Sequence, residues 1–234
     1  MDKRKIILLI IGTLILINVS IVSYKLYLYS HAQTGVFQKE YIINNERTSK
    51  HNLLANLQSE NSDTVAYLKV NGTNINYPVM QSSDNDFYLK HDFNKNAVFA
   101  GSVFLDYRND IDKIDKNNII YAHAMNNGTM FGSLKNVLTD EWLNNKDNHI
   151  ITLINSEGVQ KFEVISVYYI PVTNDYLYVN FNTDEDFLAF EEKMINRSMY
   201  DFGAKPNKDD KLLSLSTCKQ HVERIVVHAR LITD

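Results

Sequence analysis

From Ile6 to Tyr24 the chain carries no charged residue, and isoleucine and leucine dominate. As a helix that run is about 28 Å long, enough to cross the hydrocarbon core of a bilayer. Lys3, Arg4 and Lys5 stand before it and Lys25 ends it. Basic residues on that side predict a signal-anchor with a cytoplasmic N-terminus and the rest of the chain outside the cell. A cleaved signal peptide is the rival, but its apolar core is normally shorter and no A-x-A site follows Tyr24. A buried core helix is the third reading. The expected organisation is a basic N-terminus (1–5), a membrane span (6–24), a stalk with one or two helices (25–62) and a catalytic domain (63–234).

Beyond the span the periodicity changes. Leu53, Leu54 and Leu57 recur at helical spacing, then Thr64–Val70 reads as a strand closed by the turn signal Asn71-Gly72. Further strands are predicted at Thr73–Met80, Val98–Leu105, Asn118–His123, His149–Ile154, Val159–Val172, Lys211–Thr217 and Arg224–Ile232. Asn155-Ser-Glu-Gly158 reads as a hairpin turn. Helices are predicted at Met130–Val137 and Asp184–Ile195. In the second, Phe187, Phe190 and Met194 share one face, and Asp184, Glu185 and Asp186 suit the N-terminus. Many short strands with few helices predict a mostly β, α+β domain closed into a barrel.

Composition narrows the function. The 234 residues are 44% hydrophobic and 22% charged, with 8 Gly and 3 Pro, an ordinary globular balance. The net charge is −4. Residues 1–25 hold four basic groups and one acidic, +3, leaving −7 for the remainder. An acidic exterior domain argues against nucleic acid as a partner. The acidic pair Asp209-Asp210 reads as a solvated turn. With one cysteine, neither a disulfide framework nor a Cys-rich zinc site is available. A lone exported thiol is either a buried small hydrophobe or chemically useful.

Its position favours chemistry. Cys218 ends a strand; after five loop residues Arg224 opens the next. Alternation puts Leu213, Leu215 and Thr217 on one face, and Leu212, Ser214, Ser216 and Cys218 on the other. Ile225, Val227, Ala229 and Leu231 likewise oppose Arg224, Val226, His228 and Arg230. The apolar faces suit a barrel core, and the more polar faces carry Cys218 and Arg224 at the two lips of one loop. A guanidinium favours thiolate and donates a fork of hydrogen bonds to an oxyanion. Nucleophilic cysteine also needs a proton manager. His31, His51 and His91 sit in polar surroundings, His149 reads as structural, and His228 lies too far along its strand. His123 and His221 remain; the strand-end position favours His123.

The run Leu213-Ser-Leu-Ser-Thr-Cys218 with Arg224-Ile-Val-Val resembles the sortase signature, class B above all. The likeness covers residues 65–232. It includes Asn74–Gln81, Asp84-Asn85, Tyr88-Leu89, Gly101–Asn109, Ile119–Met125, Met130-Phe131 and Asp175-Tyr176-Leu177. The resemblance implies an eight-stranded sortase-type β-barrel with an N-terminal helical extension, preceded by one transmembrane helix. It implies Cys218 as nucleophile, His123 as general acid/base and Arg224 as transition-state stabiliser. Asn85, Leu89, Tyr121, Tyr176, Leu177, Ser216 and Thr217 would line a peptide groove. The implied partners are surface proteins with a C-terminal sorting signal of the Asn/Ser-Pro-x-Thr-x type, cut after Thr, and an amine of peptidoglycan or its lipid-linked precursor. No metal or other cofactor is implied. Two departures stand out: Gly-His-Asn reads Ala122-His123-Ala124, and the loop after Cys218 is short, with Lys219 and His221. The alternatives are a cysteine peptidase that only hydrolyses and a non-catalytic surface-binding barrel. The papain arrangement fits poorly, because His123 precedes a strand-borne cysteine.

Overall fold

The computed structural model describes residues 2–34, 47–218 and 223–233; the side chains of 28–34, 47–52 and 218 lie outside that description. The chain divides into two units, Met1–Lys39 and Glu40–Asp234. The first holds one continuous helix, α1 (Lys3–Thr34), of which Lys3–Tyr27 is long and apolar enough to cross a membrane. The apolar side chains of this span are exposed. Its polar residues bond back to the helix: Thr13 Oγ1 donates to the Leu9 and Ile10 carbonyls, and Asn18 Nδ2 to Leu14. That satisfies groups that hydrocarbon would leave unpaired.

The second unit begins with α2 (Arg47–Glu60), which buries Leu53, Leu54 and Leu57. Eight strands follow among the described residues: β1 (Thr64–Val70), β2 (Asn76–Met80), β3 (Phe104–Leu105), β4 (Asn117–His123), β5 (Ile150–Asn155), β6 (Gly158–Pro171), β7 (Leu212–Cys218) and β8 (Glu223–Leu231). They close a barrel in the order β1-β2-β3-β4-β7-β8-β6-β5. β5 and β6 form the expected hairpin around Ser156-Glu157, with Asn155 opposite Gly158. Between them and β4 lies the short helix α3 (Asp140–Asn144), whose buried Trp142 donates from its indole to the Asn71 carbonyl at 2.8 Å.

A helix, α4 (Asp184–Asn196), covers the outside of β6, β7 and β8. The Thr183 hydroxyl caps it by accepting from the Asp186 amide at 3.1 Å. Its buried face carries Phe187, Phe190 and Met194, packed with Ile165, Tyr168, Tyr176, Leu212 and Val226. Each such side chain removed from water stabilises the layer by about 1.5–3 kcal/mol.

Two local expectations are corrected. The predicted strand Val98–Leu105 shrinks to Phe104–Leu105, because Gly101 turns the chain at φ +58°. A Cβ there would lie 2.5 Å from the Leu89 carbonyl oxygen, so only glycine allows this approach. The predicted helix Met130–Val137 is a 3-10 segment, Gly132–Leu138, preceded by Met130 at φ +51°. On the more polar faces of β7 and β8, Ser214, Ser216 and His228 are fully buried. His228 sits between the hydroxyls of Tyr168 (2.8 Å) and Ser214 (2.7 Å). Burial, reinforced by the charge of Arg197, pushes its pKa down to about 3, so it stays neutral. Sequence alternation located this face; it did not reveal that α4 would roof it.

Candidate active site

β4 and β7 run parallel, and their register sets His123 opposite Cys218. Both residues are the last of their strands. β8 pairs antiparallel with β7, with Ser216 opposite Val226. The pairing ends there; extended by two residues, the same register aligns Cys218 with Arg224. Neighbouring strands lie about 4.8 Å apart. The three residues therefore gather at one end of three adjacent strands. The Cys218 side chain and residues 219–222, His221 among them, lie outside the described residues.

His123 is half-buried, and its imidazole is held from two directions. Nε2 lies 3.0 Å from the Leu89 carbonyl. A carbonyl only accepts, so Nε2 is the donor in this contact. Phe99 stacks on the ring, nearly parallel at 5° and 5.8 Å between centroids. The Gly101 turn is what brings this segment onto the Leu89 carbonyl.

Arg224 donates from Nη1 to the Tyr176 hydroxyl at 3.0 Å. That hydroxyl is 2.9 Å from Ser216 Oγ, so β7, β8 and the segment before α4 share one polar chain. The Arg224 Nε is buried and has no partner among the described residues. A guanidinium donor out of water with no acceptor carries a desolvation cost that an incoming oxygen relieves. The Thr217 hydroxyl accepts from the Ile225 amide at 3.0 Å and clasps the β7–β8 end.

The remaining groove candidates converge on one carboxylate. Asp106 is fully buried. Its Oδ2 accepts from Tyr121 Oη at 2.9 Å and from Asn85 Nδ2 at 3.1 Å. Arg108 grips both oxygens, Nε to Oδ1 and Nη2 to Oδ2, each at 2.8 Å. Burial opposes the charge, but Arg108 and Tyr121 outweigh it and hold the carboxyl below the usual carboxylate range. Tyr121 is correspondingly pushed up, by burial first and by Asp106 next. Leu177 is half-buried and engages through its carbonyl, which accepts from Arg108 Nη2 at 3.1 Å. Among the described residues no three His, Cys, Asp or Glu gather as a metal would require.

The sortase domain model matches residues 68–232. Sortase B of Listeria monocytogenes is 33% identical over 221 residues, covering 89% of this chain and 88% of its own length. The chain belongs to the sortase family, class B. Sortase B of Staphylococcus aureus is 29% identical over 247 residues, covering 98% of each chain. Among solved structures, a mutant form of Clostridium perfringens sortase B superposes with a TM-score of 0.74 at 34% identity, covering 80% of this chain and 90% of its own. A sortase B–substrate complex from Staphylococcus aureus gives 0.73 at 27% identity, covering 92% and 98%. This class B sortase is thus an enzyme of the cysteine-transpeptidase type, with the closed barrel and helices expected from sequence.

Sequence reasoning missed Phe99, Asp106 and Arg108 as neighbours of the site. The signal for the last two was present: an acid and an arginine two apart, closing the Gly101–Asn109 segment. Phe99 gave no signal, since stacking on His123 depends on the Gly101 turn. His91, expected as a solvated residue, is half-buried, stacked on Phe87 at 4.2 Å with Nδ1 2.7 Å from the Phe87 carbonyl. His149 is structural, as expected, stacked on Trp142. His31 and His51 have side chains outside the described residues.

Proposed function

We propose that this sortase cuts a C-terminal sorting signal of the Asn/Ser-Pro-x-Thr-x type after Thr and transfers the protein to an amine of peptidoglycan or its lipid-linked precursor. The observation that carries the reading is the convergence of Cys218, His123 and Arg224 at one end of β7, β4 and β8, with a buried Arg224 Nε that has no acceptor among the described residues. The Cys218 thiolate attacks the Thr carbonyl carbon, and Arg224 donates to the resulting oxyanion. As the C–N bond breaks, His123 gives a proton to the leaving amine. The acyl group remains as a thioester on Cys218. An incoming amine passes a proton to His123, attacks the thioester and expels the thiolate, so the enzyme returns to its starting state. Asn85, Leu89, Tyr121, Tyr176, Leu177, Ser216 and Thr217 line the peptide groove.

The apolar stretch Lys3–Tyr27 supports a single-pass anchor with the N-terminus cytoplasmic and the catalytic domain (63–234) at the cell surface. Residues 1–5 then form the cytoplasmic tip and 25–62 the stalk.

The test is turnover by the full chain in detergent micelles, with Asn/Ser-Pro-x-Thr-x peptides and hydroxylamine as a small amine. Transfer predicts a peptide ending in a Thr hydroxamate. A product ending only in free Thr carboxylate assigns a hydrolase, and no cleavage with any peptide overturns the reading.

A further inference from the structure

We propose that Asp106 and Arg108 are positioning residues for the peptide groove, a buried carboxylate and a guanidinium that fix Asn85, Tyr121 and the Tyr176–Leu177 segment relative to one another. The inference rests on the groove reading given above. Its geometry does not involve Cys218.

Asp106 lies just past β3, opened toward β4 by the amide bond it donates to Ile119 at 2.8 Å. Its own carbonyl accepts from Gln81 Nε2 at 3.0 Å, which locks the backbone in place. The side chain then binds one residue from each of three separate segments. Asn85 comes from the loop after β2, Tyr121 from β4, and Arg108 from the turn after β3. Asn85 is doubly fixed, because its Oδ1 accepts from the Tyr107 amide at 3.0 Å.

Arg108 extends the network to a fourth segment. Its side chain is 40% exposed while Asp106 is 0% exposed, so the guanidinium is the outer half of the pair. Nη2 bonds Asp106 and the Leu177 carbonyl at once. The inner edge of that segment is held elsewhere, by Asn117 Nδ2 donating to the Tyr178 carbonyl at 2.7 Å. Arg108 therefore fixes the outer edge, and with it the distance between Leu177 on one wall and Asn85 and Tyr121 on the other. A planar fork satisfies both oxygens and a carbonyl together; an ammonium on a flexible stem does not. A groove built before the peptide arrives avoids the ordering cost on binding.

The experiment compares wild type with Arg108→Gln, Arg108→Lys and Asp106→Asn, as full chains in detergent micelles. Two readouts are taken: amide hydrogen exchange across 173–182, and KM and kcat on the Asn/Ser-Pro-x-Thr-x peptides. Arg108→Gln should speed exchange in 173–182 about tenfold, the scale of one charge-assisted hydrogen bond, while β4 and β7 stay protected. KM should rise about tenfold, with kcat within about threefold of wild type. Arg108→Lys should fall between the two in both readouts. Arg108 is outside the core, so the glutamine variant decides even where Asp106→Asn fails to fold. Unchanged exchange in 173–182 overturns the proposal whether or not any peptide is cleaved. Faster exchange with unchanged KM also overturns it, as does a loss confined to kcat. A wild type that cleaves no peptide overturns the groove reading instead, while exchange still decides whether the clamp exists.

Discussion

Asp106 beside Tyr121 and Glu191 on the inner face of α4 are both fully buried, at 0% exposure, yet they hold opposite charge states. Asp106 meets a guanidinium fork and stays ionised, below the usual carboxylate range. Glu191 meets the Asn207 amide at 2.9 Å and the carboxyl of Asp210. Burial and that second acid push its pKa up to about 8. Glu191 Oε1 and Asp210 Oδ2 are both buried without a donor among the described residues. One carboxylic proton between them satisfies both. Arg230 Nη1 lies 3.8 Å from Asp210 and also pairs with Glu163, too distant to reverse the outcome. The lesson is that burial alone does not set the charge of an acid; the nearest donor does. On the Asp106 side of the barrel the buried acid stays ionised, while under α4 Glu191 keeps its proton and His228 is uncharged.

The same amide substitution separates the two sites. Asp106→Asn presents an NH2 to Tyr121, Asn85 or Arg108, all donors, and removes the ion pair. It should cost about 2–4 kcal/mol in urea unfolding at pH 7. A loss below about 0.5 kcal/mol would mean the carboxylate is not the hub described.

Glu191→Gln should do the reverse. A raised pKa means the folded state holds a proton that the unfolded chain releases above its ordinary value near 4.5, so wild-type stability falls as pH rises from about 5 to 8. The glutamine supplies the missing donor at every pH. It should match wild type at pH 5 and exceed it by about 4 kcal/mol at pH 8.5. Parallel pH curves would contradict the shared proton. The Asp106 contribution has the opposite sign: it is present above about pH 4 and is lost as pH falls through its lowered pKa.

Tyr121→Phe removes one of the donors on Asp106 and leaves Arg108 in place. It should cost about 1 kcal/mol by thermal unfolding. Arg230→Gln should have the smallest effect, a shift of the Glu191 transition to higher pH by about half a unit, read from the stability–pH curve. A shift to lower pH would mean Arg230 does not favour the ionised pair.

Much of this molecule was legible in sequence because its signals are local. The α4 face followed from Phe187, Phe190 and Met194 at helical spacing, and its N-terminus from the three acids Asp184, Glu185 and Asp186. The β5–β6 hairpin followed from Asn155-Ser-Glu-Gly158. Cys218 and Arg224 stood out by sharing one turn. What sequence missed depends on non-local contact. Asp210 read as part of a solvated turn, but its partner Glu191 lies on another element, and its side chain is 11% exposed. His228 and Ser214 read as a polar face because alternation reports sides of a strand, not what covers them. Gly101 shortened β3 through a carbonyl from residue 89, which no window around residue 101 contains.

The central claim is that Cys218, at the strand end beside His123 and Arg224, forms an acyl-enzyme with a sorting peptide. Intact-mass spectrometry of the full chain with Asn/Ser-Pro-x-Thr-x peptides, in detergent and without added amine, tests it directly. The account predicts an added mass equal to the peptide through Thr, mapped to Cys218, absent in Cys218→Ala and much slower to form in His123→Ala and Arg224→Lys. An adduct elsewhere, or peptide cleavage that persists in Cys218→Ala, would contradict it.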